Sequence, residues 1–156
     1  MHNEIKISSD FFPESIRLSL VQEIEDMGVR KREFHLSAGE NVPECVISAA
    51  RFASDKLGLE FNFAVLKRYR VTDLYESQAY EMHLDPDNLT SIPLVLCTLE
   101  GEADLIYISG SGAETTVRCS RNVVVLLDSA LKHRVTPPSS ASGERHFLFL
   151  GYDTYQ

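Results

Sequence analysis

The chain has 156 residues, of which 44% are hydrophobic and 24% charged, a make-up that fits one soluble domain with a real core and excludes a disordered or low-complexity protein. Its formal net charge is −8, and Lys and Arg gather only in short clusters such as Arg30-Lys31-Arg32. That balance argues against nucleic acid or an anionic membrane as a partner. Cys45, Cys97 and Cys119 are odd in number and form no C-x-x-C pair. A disulfide framework or structural zinc site is therefore not expected, and each reads as a buried small apolar residue. The start of the chain lacks a secretory pattern and no apolar run reaches membrane length, so the expected location is the cytoplasm.

The first third reads as helical. Pro13-Glu14 opens a helix in which Ile16, Leu20, Ile24 and Met27 recur at helical spacing, with Gly28 as a stop. A second helix runs from Pro43-Glu44 to Leu57, presents Val46, Ala49, Ala50 and Ala53 on one face, and ends at Gly58. Both are expected to brace a sheet from outside. From Glu60 the pattern turns to strands, beginning with Phe61 to Leu66 and leading to Tyr69. A further extended stretch, Ala79 to His83, runs into the turn residues Asp85-Pro86-Asp87-Asn88. Ile92 to Leu99 and Asp104 to Ile108 follow, joined by Glu100-Gly101-Glu102, and Gly110-Ser111-Gly112 reads as a loop. Val117, Val123 to Leu127, His133 to Val135 and His146 to Leu150 supply the remaining strands. Short strands separated by polar turns predict a sandwich or barrel.

Within this frame His83-Leu84-Asp85 stands out. Residues two apart on a strand share a face, so an imidazole nitrogen and a carboxylate oxygen point into one cavity. His133 from a distant strand completes three ligands on one side of a metal, the two-His-one-carboxylate arrangement of non-haem Fe(II) oxygenases. Arg145, in Gly143-Glu144-Arg145-His146-Phe147, adds a guanidinium whose donor fork matches a carboxylate. If Arg145 faces inward, so do Phe147 and Phe149, while His146 alternates away.

Each residue also has a plain structural reading. His83 serves equally as a surface or satisfied strand histidine, and Asp85 as a turn initiator before Pro86. His133-Arg134 reads as a solvated basic pair, and Arg145 as a partner for Glu144 or Asp128. His2, His35 and His146 carry no functional reading, and Asp73, Glu76, Asp87 and Glu102 read as solvated loop residues.

Taken together, Tyr80-Glu81-Met82-His83-Leu84-Asp85, Leu99-Glu100-Gly101, His133-Arg134-Val135-Thr136-Pro137 and Gly143-Glu144-Arg145 resemble the 2-oxoglutarate/Fe(II)-dependent dioxygenases, especially their prolyl-hydroxylase-like branch. The match runs from about Phe61 to Tyr152. The resemblance implies a mainly β fold with N-terminal helices: a double-stranded β-helix (jelly-roll) core over residues 60–152, with 1–59 as helical support in one domain of 1–156. It implies His83, Asp85 and His133 as ligands of Fe(II), and Arg145 as the residue that binds the distal carboxylate of the cosubstrate 2-oxoglutarate. Tyr69 would set its hydroxyl near that cosubstrate, and Cys97 or Thr98 would be a further contact, the choice between them open. Tyr80, three residues before His83, would lie on the opposite face.

The implied reaction takes dioxygen and 2-oxoglutarate to succinate and CO2 while hydroxylating a peptidyl residue, proline among the options, or a small metabolite. Loops from Val71 to Gln78 and from Asp85 to Ser91 would frame the substrate mouth. Nucleic-acid demethylases of the superfamily carry a second Arg six residues after the first, where this chain has Gly151; halogenases lack the carboxylate that Asp85 supplies. The alternatives are a catalytically inactive jelly-roll protein that binds iron or an oxoacid, and a cupin-like enzyme with another metal, whose sites use more histidines and a Glu.

Overall fold

The computed structural model describes residues 4–37, 41–72, 77–85 and 93–154. In chain order its elements are β1 (Ile5–Ser8), α1 (Glu14–Asp26), β2 (Lys31–His35), α2 (Glu44–Leu57), β3 (Phe63–Arg70), α3 (Ser77–Tyr80), β4 (Leu94–Glu100), β5 (Ala103–Ile108), β6 (Glu114–Cys119), β7 (Val123–Leu127), β8 (His133–Val135) and β9 (Glu144–Gly151). The strands form two antiparallel sheets, one of six strands in the order β1-β7-β4-β9-β3-β2 and one of three in the order β6-β5-β8.

The two long helices begin and end where their sequence signals lie. Pro13 (φ −54°) and Pro43 (φ −58°) precede the first turns of α1 and α2, and Glu14 and Glu44 sit at the positive ends of the helix dipoles. Gly58 takes the left-handed conformation at φ +67° and donates its N–H to the Ser54 carbonyl, closing α2. The buried stripe of α2, Val46, Ala49, Ala50 and Ala53, is mostly alanine, which lets the helix approach closely.

Strand alternation divides the six-stranded sheet into two faces. Its outer face carries Ala64, Leu66, Val95, Cys97, Leu99, Val124, Leu148 and Leu150, packed with Leu20, Ile24 and the α2 stripe in one core. Full burial of each such Leu or Val contributes about 1.5–3 kcal/mol. The inner face carries Phe63, Tyr69, Leu96, Val125, Phe147 and Phe149, which join Leu105, Tyr107 and Cys119 of the three-stranded sheet in a second core. The chain passes from one sheet to the other at Gly101, where φ is +87° and an added Cβ would collide with the Glu144 carbonyl. The Glu100-Gly101-Glu102 joint is therefore a crossing between sheets, and β5 pairs with β6 and β8 rather than with β4.

Three expectations need correction. The first third is not purely helical: β1 and β2 add edge strands to the six-stranded sheet. The stretch 79–83 is not a strand; Tyr80 closes the short α3, and His83 makes a lone β-bridge with His133. Tyr80 consequently lies on the same side as Tyr69, with ring centroids 6.3 Å apart, instead of on the opposite face. Among the described residues no helix is long and apolar enough to cross a membrane.

Candidate metal centre and active-site cavity

His133 lies on β8 directly across from Tyr107 of β5, which turns its ring inward at 5% exposure. His83 is held opposite by two backbone hydrogen bonds: its N–H donates to the His133 carbonyl at 3.0 Å, and the His133 N–H donates to the His83 carbonyl at 2.9 Å. This single bridge, not a continuous strand, brings the two rings to a centroid distance of 4.5 Å. Nδ1 of His83 lies 2.7 Å from the Glu81 carbonyl and Nδ1 of His133 lies 3.2 Å from the Leu131 carbonyl. A carbonyl only accepts, so each Nδ1 is the donor there, and a neutral ring then presents its Nε2 lone pair as a metal ligand.

The two Nε2 atoms converge on one carboxylate oxygen. Oδ1 of Asp85 is 3.4 Å from Nε2 of His83 and 3.2 Å from Nε2 of His133. All three candidate ligand atoms lie within 4.8 Å of one another. A divalent metal bonded at about 2.0–2.2 Å to each donor holds adjacent ligands about 3 Å apart, close to the two spacings at Asp85 Oδ1. Two imidazoles and one carboxylate on one side leave the other positions open, and the donor set fits Fe(II). Burial disfavours the charged form of His133, but the Asp85 hydrogen bond and charge outweigh it and hold its pKa above the ordinary histidine value.

Arg145 approaches from β9. It is 1% exposed, and Thr98 on the neighbouring strand accepts from its Nε at 3.1 Å and its Nη2 at 2.9 Å. Its Nη1 is buried and has no hydrogen-bond partner among the described residues. A buried charged donor left unpaired is strongly unfavourable, so the guanidinium fits an oxyanion delivered by a ligand. Tyr69 stands across from Arg145 in the β3–β9 register and is buried, and the guanidinium carbon lies 5.3 Å from its ring centroid and 4.8 Å from that of Phe147. Of the two residues left open on β4, Thr98 faces Arg145, while Cys97 points into the helix-covered core.

One cavity of about 790 Å³ is lined by His83, Asp85, His133, Arg145, Tyr69, Phe147 and Phe149 alike. Arg145 pairs with neither Glu144 nor Asp128; Glu144 binds Arg68 and Arg70, and Asp128 accepts from the Ala130 N–H. His146 points outward to Glu25 of α1 at 2.7 Å. With Glu144 it forms a second His/carboxylate group, but Arg68 already bridges both carboxylates, at 3.1 Å from Glu25 and 2.9 Å from Glu144. Glu102 is a partner of Arg118. His2, Asp73, Glu76 and Asp87 lie outside the described residues, as do most of the two loops expected at the substrate mouth.

The sequence reading missed part of the cavity wall. His35, read there as non-functional, lines the cavity with Lys31 and Glu33 of β2 and Lys67 of β3. The available signal was the i, i+2, i+4 spacing of Lys31, Glu33 and His35, which puts them on one face of a strand.

The fold is shared with solved prolyl hydroxylases. The chain is similar to a prolyl-4-hydroxylase of Pseudomonas putida (TM-score 0.63, 15% identity, 96% of this chain and 92% of that one). It is similar to a Trichoplax adhaerens prolyl hydroxylase solved with a hypoxia inducible factor oxygen degradation domain peptide fragment (TM-score 0.67, 16% identity, 98% and 84%). It is also similar to HygX of Streptomyces hygroscopicus, solved with nickel and 2-oxoglutarate (TM-score 0.65, 16% identity, 96% and 82%). No protein-family model and no curated protein sequence matches the chain. At these identities the likeness is one of fold.

Proposed function

We propose that this chain is an Fe(II)/2-oxoglutarate-dependent dioxygenase with a double-stranded β-helix core, acting as one domain in the cytoplasm. The observation that carries the reading is the meeting of two chemistries in one cavity: a His-Asp-His donor set, and a buried guanidinium with one nitrogen unsatisfied. Nickel and 2-oxoglutarate in a neighbour of the same fold support it.

Bound Fe(II) would supply the oxidation, in which dioxygen converts 2-oxoglutarate to succinate and CO2 and hydroxylates a C–H bond of the substrate. His83, Asp85 and His133 would hold the metal, with the Glu81 and Leu131 carbonyls fixing the imidazole tautomers. Arg145 would receive the distal carboxylate through Nη1, its plane held by Thr98. Tyr69 would close that end of the pocket, and Phe147 and Phe149 would exclude water from the reacting centre. The substrate is a peptidyl residue, proline among the candidates given a neighbour solved with a peptide, or a small metabolite.

The test is anaerobic calorimetry with Mn(II) in place of iron. The wild-type protein should bind one metal and then 2-oxoglutarate, with no 2-oxoglutarate binding in Asp85→Ala and at least tenfold weaker binding in Arg145→Met. Cosubstrate binding that ignores both substitutions would overturn the reading.

A further inference from the structure

The six-stranded sheet ends at β2, and among the described residues no strand lies beyond it. The hydrogen bonds at either end of β2 fix which way its backbone points. The Arg30 carbonyl accepts from the Arg68 N–H at 2.8 Å, and the Leu36 N–H donates to the Asn62 carbonyl at 2.9 Å. Even-numbered residues therefore turn their backbone groups to β3, and because direction alternates along a strand, odd-numbered residues turn theirs away. The N–H and C=O groups of Lys31 and Glu33 point out of the sheet's edge, where no hydrogen bond meets them among the described residues. Side chains alternate between the faces: Phe34 enters the helix-covered core, while Lys31 and Glu33 line the cavity. The same two residues thus offer bonding groups to the edge and side chains to the candidate active site.

The other three strand edges lack this combination. The outer edge of β8 is occupied at His133 by its reciprocal bonds with His83. β1 contributes no residue to the cavity wall, and β6 contributes only Cys119, at its last position. Charged side chains on an edge strand ordinarily deter pairing with another chain. Lys31 and Glu33 are paired with each other at 2.9 Å, so these two leave their stretch of edge without net charge against an incoming strand.

We propose that β2 is a docking edge for an extended segment of a polypeptide substrate, which adds as a further strand through the backbone of Lys31 and Glu33 and turns alternate side chains into the cavity. Strand addition suits this geometry, because main-chain bonds hold the segment and the facing pocket reads every second side chain. An extended polypeptide repeats its outward groups every two residues, about 6.6–6.8 Å, which is the repeat from Lys31 to Glu33. A small metabolite has no such repeat. The inference rests on the reading of the cavity as an oxygenase site and narrows its substrate to a peptide.

The probe is a displayed library of random dodecapeptides, selected on wild-type protein loaded with Mn(II) and 2-oxoglutarate, with the best binders then synthesised. Glu33→Pro removes an outward N–H and leaves the bonds to β3, since an edge strand accepts proline where its N–H faces solvent. It should raise the peptide Kd at least tenfold, and Glu33→Gln, which keeps the N–H, less than threefold. In wild-type protein the bound peptide should slow hydrogen exchange at the Lys31 and Glu33 amides at least tenfold, a readout that stands even if Glu33→Pro does not fold. A selection that enriches no peptide, binders indifferent to a folded Glu33→Pro, or Lys31 and Glu33 amides left unprotected overturn the assignment. So does a concentration-dependent dimer that Glu33→Pro dissociates, which would make this edge a contact between two copies of the chain. Failure of wild-type protein to take up Mn(II) and 2-oxoglutarate is a separate result: it removes the oxygenase reading, while the same selection and exchange on unloaded protein still decide the edge.

Discussion

The two faces of the six-stranded sheet are built from the same strands and do opposite work. On β9, Leu148 and Leu150 join the helix-covered core while Arg145, Phe147 and Phe149 line the cavity. On β4, Val95, Cys97 and Leu99 face the helices while Thr98 orients Arg145. On the outer side Arg17 binds Glu14, Glu100 and the Leu99 carbonyl, and His146 meets Glu25, while His146 Nδ1 and Arg68 Nε lack a hydrogen-bond partner among the described residues. On the inner side Arg145 keeps one buried nitrogen unanswered, and two histidines and an aspartate gather with their acceptor atoms facing each other. What distinguishes the inner side is that an unsatisfied guanidinium nitrogen and a converging His-Asp-His donor set belong to residues of one cavity.

Neighbouring substitutions should therefore separate function from stability. The largest effect is expected at the donor set: His133→Ala should weaken Mn(II) binding beyond the roughly 10–100-fold typical of losing an outer partner, with the fold retained by circular dichroism. Arg145→Met should weaken 2-oxoglutarate by about 10–100-fold, the equivalent of the roughly 1.5–3 kcal/mol of a charged hydrogen bond. Three residues further on, Leu148→Ala should do the reverse. Calorimetry should find cosubstrate affinity in the folded fraction unchanged, while urea denaturation should report about 2–5 kcal/mol of lost stability. Equal loss of affinity in Leu148→Ala would break the division between the faces.

Thr98→Val sharpens the comparison on β4. It should raise the Kd of 2-oxoglutarate about tenfold, with Thr98→Ser restoring most of it, because the hydroxyl oxygen is what accepts from the guanidinium. A smaller effect concerns pH. The Arg68 hydrogen bond holds the Glu144 pKa below the ordinary carboxylate value. At Glu100 burial acts to raise the pKa, but hydrogen bonds and charges from Arg121 and Arg17 outweigh it and lower it. A depressed folded-state pKa contributes stability that is present above the unfolded value of about 4.3 and is lost as pH falls through the folded value. Denaturation at pH 6 and pH 3 should show that loss, and Glu144→Gln should reduce it by about 1 kcal/mol or less, the scale of such pairs.

Much of this was legible in the chain because its signals are local. Pro13, Pro43 and Gly58 mark helix ends through fixed backbone preferences, and α2 spans the residues expected of it. His83 and Asp85 of H-x-D, His133 of H-x-V-x-P and Arg145 of G-E-R do line one cavity. What escaped depends on tertiary context. β2 reads Lys-Arg-Glu-Phe-His, and its alternation is charged on both faces because one lines an open cavity and the other carries Arg32 beside Phe34. Such a strand lacks the apolar period that identifies others. The segment before His83 looked extended because H-x-D invites a strand, whereas one bridge to His133 suffices to aim the ring. Which of Cys97 and Thr98 faces Arg145 turns on a single residue of register, which composition does not encode.

The central claim, that the His-Asp-His set and Arg145 form one working site, is tested most directly by anaerobic titration of the apoprotein with Fe(II) and 2-oxoglutarate. The account predicts a saturable visible charge-transfer band, absent in His83→Ala and lost at matched cosubstrate concentration in Arg145→Met. A folded protein that takes up iron yet gives no band, or a band indifferent to both substitutions, would contradict it.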